Sequence, residues 1–548
     1  MQPRRLLFCL LLIYLSALGI RLLPSIYLGL PYGYDFWEEL ERLTSMIGSG
    51  GFQVSPPQGT MFYLLLVGVH LLLGVPVLAI FTYFVPFASS AVVLFVYLFT
   101  YRISNQNSAL LAALMAATAG IFVHQTTLPV SESLGLTFLA LVIYLLYDVM
   151  TKGGSRRFFL LFFASLAVVL THHLTTFFLL LTMALLCPVV FASERRNLRT
   201  SAPLILFSTL LLFTLIWWLV GIPVVSMFFE SIFEASANSW VFGVFLAALC
   251  LVLGYRVLFG WGKFGTYFTG KEIKISAIIT LLFTAGFAIT IFALLPCVIQ
   301  YRLSLLYSIY YILPYALVLL FPGLAGLFIY YSQATETWKR FYPIVWIIAP
   351  LASACFLIAS SNWGALSYRH LAFIFLGAFP MVGCGYYFLC RAGDVKLRLT
   401  KGVFIAYAAL LIGLLSFPPP QLLVGLNEAY YFPEVQAANW TARHVPSPTT
   451  FDSDHRMGVV LRFTTGQRVY LGNETSWLGE VSQTGFVTPI NPTIKYIVIT
   501  DSMLKDSVVG GFLRESKPLP QAAVDYLNHK ASISRVYGSG VVTIYQKS

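Results

Sequence analysis

The sequence predicts a polytopic α-helical membrane protein of about 13 transmembrane helices, followed by a small C-terminal extracytoplasmic α/β domain. Three observations predict it. Of 548 residues, 58% are hydrophobic and only 10% charged, and the mean hydropathy is +0.80; soluble domains run at about 45–50% apolar and about 25% charged. The apolar residues gather into successive runs of the roughly 20 residues that a hydrocarbon core requires. From Gly425 onward the composition turns mixed polar. A cytosolic enzyme and a disulfide-stapled secreted domain are thereby excluded. The net charge of +12 invites a nucleic-acid partner, but the excess lies in short loops between apolar runs, where the positive-inside effect puts it.

Spans are expected near 6–28, 76–101, 107–125, 131–150, 157–172, 174–192, 201–220, 240–258, 276–298, 308–331, 343–360, 369–390 and 402–420. The stretch 61–74 is apolar but short, and reads as a re-entrant or interfacial piece leading into the second span. Arg4 and Arg5 open the first span rather than a cleaved signal, because the apolar run continues to Leu30. The loops order the sides. Lys152/Arg156/Arg157, Arg195/Arg196/Arg199 and Arg391/Lys396/Arg398/Lys401 fall on one side, and only Arg21, Arg42, Arg302 and Arg369 on the other. The N-terminus is then cytoplasmic, residues 1–424 form the multi-span domain in the cell membrane, and 425–548 lie outside. The seven cysteines fall in or beside apolar runs without metal-clip spacing and read as packing residues.

Residues 425–548 are close to neutral and, at about 120 residues, large enough for a core of their own. Pro433–Ala442 and Leu519–Asn528 read as helices. Val459–Phe463, Ile494–Thr500, Ile533–Tyr537 and Val541–Gln546 read as strands, the last two joined by Gly538-Ser539-Gly540. The run Asp452, Asp454, His455 reads as a strand-end turn. Two glycosylation sequons, at Asn439 and Asn473, agree with an outside location.

Ionisable residues cluster at the outer ends of the spans. Asp35, Glu38 and Glu39 are spaced i, i+3, i+4, on one face of a helix directly after the first span. A partly desolvated carboxylate there makes a general base; the alternative is an interfacial helix with Asp35 as N-cap and Glu38 paired to Arg42. Glu132, in Ser131-Glu132-Ser133 at the mouth of the fourth span, could bind a metal or a sugar hydroxyl, or favour that helix's N-terminal dipole. His172 and His173 suit contact with an anionic head group better than joint metal ligation, since adjacent helical side chains diverge by about 100°. No zinc spacing occurs. Arg302, Arg369 and His370 complete the face; a guanidinium at membrane depth is a functional candidate and suits the phosphate of a lipid carrier, or else anchors at the interface.

Together with Gly33-Tyr34-Asp35, Ser55-Pro56-Pro57 ahead of an apolar segment with His70 and Gly74, His172-His173-Leu174-Thr175, Tyr368-Arg369-His370 and the domain opening Glu434 to Trp440, this arrangement resembles the GT-C superfamily of integral-membrane glycosyltransferases. It is most similar to archaeal-type members, distantly oligosaccharyltransferase-like. The resemblance implies a polyprenyl-phosphate-linked sugar donor, an acceptor glycan, lipid or protein, and membrane lipids as partners. It implies Asp35 as the base that deprotonates the acceptor for inverting attack, Arg369 at the carrier phosphate, and His172 or His173 lining the donor site; Glu132 matches a second acidic position loosely. The Trp-Trp-Asp-Tyr-Gly motif of oligosaccharyltransferases is absent, for the one Trp-Trp pair, Trp217-Trp218, lies inside a span. Paired-carboxylate metal motifs are absent too, so no cofactor is expected with certainty, and a divalent cation, Mg or Mn, stays open. The competing classes are a transporter or flippase of lipid-linked saccharide, an oligosaccharyltransferase-like enzyme lacking the sequon-reading motif, and an assembly protein whose outer domain binds a partner.

Overall fold

The computed structural model describes residues 2–33, 35–49, 59–193, 198–221, 319–334, 336–359, 369–391, 427–471, 492–506 and 518–548, with single positions at 405, 409, 413 and 508. Arg302, the spans expected at 240–258 and 276–298, the first part of that at 308–331, most of that at 402–420, and the Asn473 sequon lie outside them.

Helix α1 (Pro3–Leu28) opens on Pro3 and closes on a left-handed Gly29. Then come α2 (Phe36–Gly48), α3 (Thr60–Leu73), α4 (Val77–Ile103), the bent pair α5 (Gln106–Thr118) and α6 (Gly120–Thr127), α7 (Ser131–Lys152), α8 (Ser155–Thr171), α9 (His173–Ser193), α10 (Leu198–Gly221), α11 (Phe321–Gln333), α12 (Thr337–Ala359) and α13 (Arg369–Arg391). Among the described residues five helices are long and apolar enough to cross a membrane, or six if α5 and α6 count as one span. The expected total of about 13 is therefore not reached among the described residues. The span expected as one helix at 107–125 turns by 64° between α5 and α6, where Ala119 is extended. Helix α3 has 14 residues; at about 1.5 Å per residue it reaches roughly 21 Å, short of a core of about 30 Å, as expected for a re-entrant or interfacial piece.

The bundle packs by close backbone approach. A methyl group at Gly326 in α11 would overlap the carbonyl oxygen of Met381 in α13, and one at Gly385 would overlap that of Pro322. Small residues at such crossings are how helices associate where lipid is as apolar as any side chain. Charge separates along α7. Asp148 near its end is held by Arg102 at 2.9 Å, Arg157 at 3.0 Å and Lys152 at 3.9 Å, while Glu132 sits in its first turn. Sixteen residues between them put these charges about 24 Å apart, close to one hydrocarbon thickness.

The C-terminal region is α14 (Phe432–His444), β1 (Thr450–Ser453), α15 (His455–Thr465), β2 (Arg468–Leu471), β3 (Tyr496–Thr500), α16 (Asp501–Lys505), α17 (Gln521–His529), β4 (Ile533–Gly538) and β5 (Val542–Lys547). The sheet runs β2-β1-β3-β5-β4, with β1 parallel to β2 and β3 and the hairpin β4–β5 antiparallel at its edge. The segment Val459–Phe463, expected as a strand, is helical: Asp454 caps it by accepting from the Met457 N–H at 2.8 Å, and the helix ends at a left-handed Gly466. Its Val-Val-Leu run looks like a strand in isolation, but the cap and the C-terminal glycine settle its period. β1 and β2 were not anticipated, each being only four residues long. The sequon at Asn439 lies mid-helix, with Thr441 buried and donating to Ala437 O at 2.9 Å.

The domain's core is not its own. Phe36, Trp37, Leu40 and Leu43 of α2, Phe62 and Leu66 of α3 and Phe81 of α4 form one buried cluster with Tyr430, Met457, Val460 and the strand residues Ile497, Val498 and Ile544. The sheet region is thus packed onto α2.

Candidate active site

Two contacts shape the loop that carries Asp35. Gly33 has φ of +126°, and a Cβ there would stand 3.0 Å from Leu128 Cδ2; a side chain at this position would be strained and crowded. The Gly33 N–H donates to the Glu428 carbonyl at 3.1 Å. The loop is therefore strapped between the α6–α7 connection and the entry to the C-terminal domain, and α2 starts from there.

Asp35 takes the N-cap position of α2, but its side chain makes no cap hydrogen bond. The expected Glu38–Arg42 pair is present at 3.3 Å. Glu38 also meets His455 Nε2 at 3.2 Å, which ties α2 to α15. Glu41 accepts from Arg462 at 2.9 and 3.1 Å, a second tie between the same helices. Glu39, buried, accepts from the Tyr63 hydroxyl and from the Ser131 N–H. Each carboxylate of α2 except Asp35 is thus engaged by a side chain of another element or by Arg42.

Electrostatics separate the three. Burial pushes Asp35 up to about 7; Arg369 and His455 oppose that rise, and Glu38 and Glu39 add to it. Burial raises Glu39 as well, against Arg42 and Tyr63. Burial alone would raise Glu38, yet His455, Arg42 and Arg462 outweigh it and leave its carboxyl below the usual glutamate value. Neighbouring carboxyls whose environments pull their proton affinities apart mark acid–base sites.

Arg369, at the start of α13, faces them. Its guanidinium lies 3.5 Å from Glu132 Oε2, and its charge reaches Asp35, His124, His172 and His173 as well. Glu132 does not cap α7, whose N-cap is Val130 without a side-chain bond. His172 breaks the chain between α8 and α9 with an extended backbone. The two histidines are therefore not successive on one helix: their ring centroids are 4.6 Å apart, and His172 Nδ1 bonds Thr175 Oγ1 at 3.1 Å. Gly135 of α7 makes room, since a Cβ there would stand 3.1 Å from His172 Cβ. His370 packs within the bundle, with Nε2 3.0 Å from Ser353 Oγ and its ring edge-on to Phe178 at 5.0 Å.

Four contributors escaped the sequence reading. His124, buried at the end of α6, approaches Glu428 at 3.9 Å and Tyr32 edge-on at 5.8 Å. His455 and Glu428 come from the C-terminal region, and Tyr63 from α3. Arg21, placed at first with the interfacial cations, is wholly buried in α1, donating to Thr126 Oγ1 at 2.9 Å and Ala17 O at 3.0 Å. An arginine within an apolar run is itself a signal, because such a charge is costly unless partnered; His455 followed an aspartate run already singled out. Nothing local marked Glu428 or Tyr63.

Among the described residues no three His, Cys, Asp or Glu side chains converge as a metal set. Glu132, Glu38 and Glu39 face Arg369, His455, Arg42 and the Tyr63 hydroxyl, where Mg or Mn would call for convergent oxygen ligands.

No family model matches the chain, and no curated protein sequence does. Solved structures do. The archaeal oligosaccharyltransferase AglB of Archaeoglobus fulgidus, in complex with an inhibitory peptide and a dolichol-phosphate, superposes with a TM-score of 0.57 at 14% identity, over 92% of this chain and 70% of that one. The same enzyme tethered to an acceptor peptide containing an NVT sequon gives 0.56 at 13%, with the same coverage. ArnT of Cupriavidus metallidurans bound to undecaprenyl phosphate gives 0.52 at 11%, over 100% of this chain and 98% of that one. The fold is that of the GT-C glycosyltransferases, the fold the sequence motifs resemble.

Proposed function

We propose that the protein is a membrane glycosyltransferase that moves a sugar from a polyprenyl-phosphate-linked donor to an acceptor on the extracytoplasmic face, with inversion, and that Asp35 is its general base. One observation carries the reading: a carboxyl at the mouth of the bundle whose burial lifts it to about 7 while a guanidinium faces it. A base is most effective when its proton affinity lies near the working pH. Asp35 takes the proton of the acceptor hydroxyl, and the oxygen attacks the anomeric carbon from the side opposite the carrier. The bond from that carbon to the phosphate oxygen breaks, and Arg369 offsets the charge the phosphate gains. His172 and His173 border the donor side, Glu132 orients Arg369, and Glu38 and Glu39 hold α2 in place. Arg302 is carried as a second phosphate contact and His370 as packing behind Arg369. The basic residues gathered around Asp148 favour placing that end in the cytoplasm, with the Asp35 end and the C-terminal domain outside.

The choice of acceptor favours a small hydroxyl over an asparagine sequon, because the Trp-Trp-Asp-Tyr-Gly motif is missing. The transporter reading is disfavoured by Asp148. Three cations surround this buried acid at one helix end, where it closes a helix junction instead of lining a mid-span path. The test is turnover in lipid nanodiscs supplied with radiolabelled polyprenyl-phosphate monosaccharides and candidate acceptors. Transfer of label by wild type that is lost in Asp35→Asn, with donor binding kept, supports the assignment. Equal transfer by both removes Asp35 from the chemistry, and absence of donor binding sinks the enzyme reading.

A further inference from the structure

We infer that His455, brought to the α2 carboxylates by the C-terminal domain, is a positioning residue of the site: it acts through Glu38, binding that carboxylate and offsetting its charge, so that Asp35 is left as the proton-exchanging group of the helix. The inference rests on the glycosyltransferase reading above and deepens it.

The geometry begins at the sheet. His455 is the first residue of α15, directly beyond the carboxyl end of the parallel strand β1, the edge at which open α/β sheets present functional groups. Its Nε2 stands 3.2 Å from Glu38 Oε1, with side-chain exposures of 14% and 21%, so both partners are largely out of water. One contact could slide. The second, Glu41 with Arg462, lies one turn further along α2 and two turns further along α15. Trp37 also packs against Phe463, at 5.4 Å. Two ion pairs at helical spacing and an aromatic contact between the same helices set the register of α2 on α15 and so place Glu38 against His455.

The chemistry follows from crowding. Asp35, Glu38 and Glu39 lie within one helical turn, and like charges so close cannot all ionise cheaply. Glu39 is settled by the Tyr63 hydroxyl and the Ser131 N–H. Without His455, Glu38 would keep only the more exposed Arg42, at 3.3 Å, to offset its charge three residues from Asp35. A cation in the first turn of α15 opposes that helix's own dipole, so its place there is explained by its partners and not by helix stability. The charged groups facing the ring are Glu38 and Asp35 from α2 and Asp454 from its own turn. Behind them, Arg42 and Arg462 act on Glu38, and Arg369 and Glu39 act on Asp35. Burial alone would lower His455; Glu38, Asp35 and Asp454 outweigh it and hold the imidazolium above the usual histidine value.

The experiment is the pH profile of kcat/KM for the full chain in nanodiscs, with the donor that supports turnover. In wild type the acid limb reports Asp35. In His455→Gln the limb moves to higher pH by roughly half to one unit, the low end of what a neighbouring charge achieves, because this one acts across Glu38. Adding Glu38→Gln to that variant removes the repulsion and returns the limb towards wild type, and His455→Lys, which keeps a cation, leaves it near wild type. A limb unmoved in His455→Gln, or still shifted after Glu38→Gln is added, overturns the inference while glycosyl transfer itself stands. If no donor supports turnover, the ionisation of Asp35 is followed by infrared difference titration of aspartate-labelled protein, with the band assigned by Asp35→Asn. The same shift and the same rescue are then expected, and a midpoint that His455→Gln does not move refutes the role.

Discussion

A carboxyl held in a poorly solvated place costs stability, and Asp35 allows that cost to be measured. The ordinary aspartate value is 3.8, and burial brings this carboxyl to about 7. Because the value in the folded chain lies above that in the unfolded chain, the contribution of Asp35 to stability is fully present below about 3.8 and is lost as the pH rises towards 7. The gap is roughly three pH units at about 1.4 kcal/mol each, an upper limit of about 4 kcal/mol. Asp35 is only half-buried, and solvent access reduces the expected figure to about 1–2 kcal/mol. Asparagine resembles the protonated acid and never ionises. Asp35→Asn is therefore expected to match wild type in stability near pH 4, to exceed it increasingly between pH 4 and 7, and to keep a constant advantage above that, while losing turnover. The assay is thermal or denaturant unfolding in nanodiscs at pH 4, 5.5, 7 and 8, followed by intrinsic fluorescence. An advantage that is absent at pH 8, or equal at every pH, refutes the argument that burial sets the proton affinity of Asp35.

Two further outcomes are expected. Arg369→Gln removes the charge that most strongly opposes the effect of burial on Asp35; the acid limb should rise by about one pH unit and the KM for donor should increase, and a donor KM equal to wild type would remove Arg369 from the phosphate. Glu434→Gln leaves Arg456 without the carboxylate it bonds at 2.6 and 2.7 Å, both side chains being 1% exposed. Breaking a buried pair from one side costs about 3–5 kcal/mol, so hydrogen exchange should accelerate across α14, α15 and the sheet while the helices of the bundle keep their protection.

The legible part of the fold was the part with a long period. Apolar runs such as Pro3–Leu28 and Ser131–Lys152 are visible because each residue of a span obeys the same solvent rule. Short elements were not: Thr450–Ser453 and Arg468–Leu471 carry four residues each and are strands only because parallel neighbours complete their hydrogen bonds. His455–Thr465 was misread because Val-Val-Leu satisfies either period until the Asp454 cap and Gly466 are weighed. In the site, local spacing revealed Asp35, Glu38 and Glu39 as one face, and it revealed the Glu38–Arg42 pair. It could not reveal that Glu132 meets Arg369, nor that Glu38 meets His455 and Glu41 meets Arg462. Those pairs join parts of the chain hundreds of residues apart, and no periodicity records them.

The same long-range pairs bear on why a soluble domain sits over the bundle at all. Burial by itself would carry the Asp35 carboxyl further from neutrality, where it would hold its proton too tightly to serve as a base. Two cations draw it back, Arg369 from the bundle and His455 from the C-terminal domain. Each is shared with a second carboxylate, Arg369 with Glu132 and His455 with Glu38. The docking of α15 on α2 is therefore part of what sets the proton affinity of Asp35. A shift of the domain by one helical turn would separate His455 from Glu38 and Arg462 from Glu41 together, leaving Glu38 to Arg42 alone beside Asp35. On this reasoning a domain shifted in register would leave the Asp35 carboxyl holding its proton to higher pH than the docked domain does.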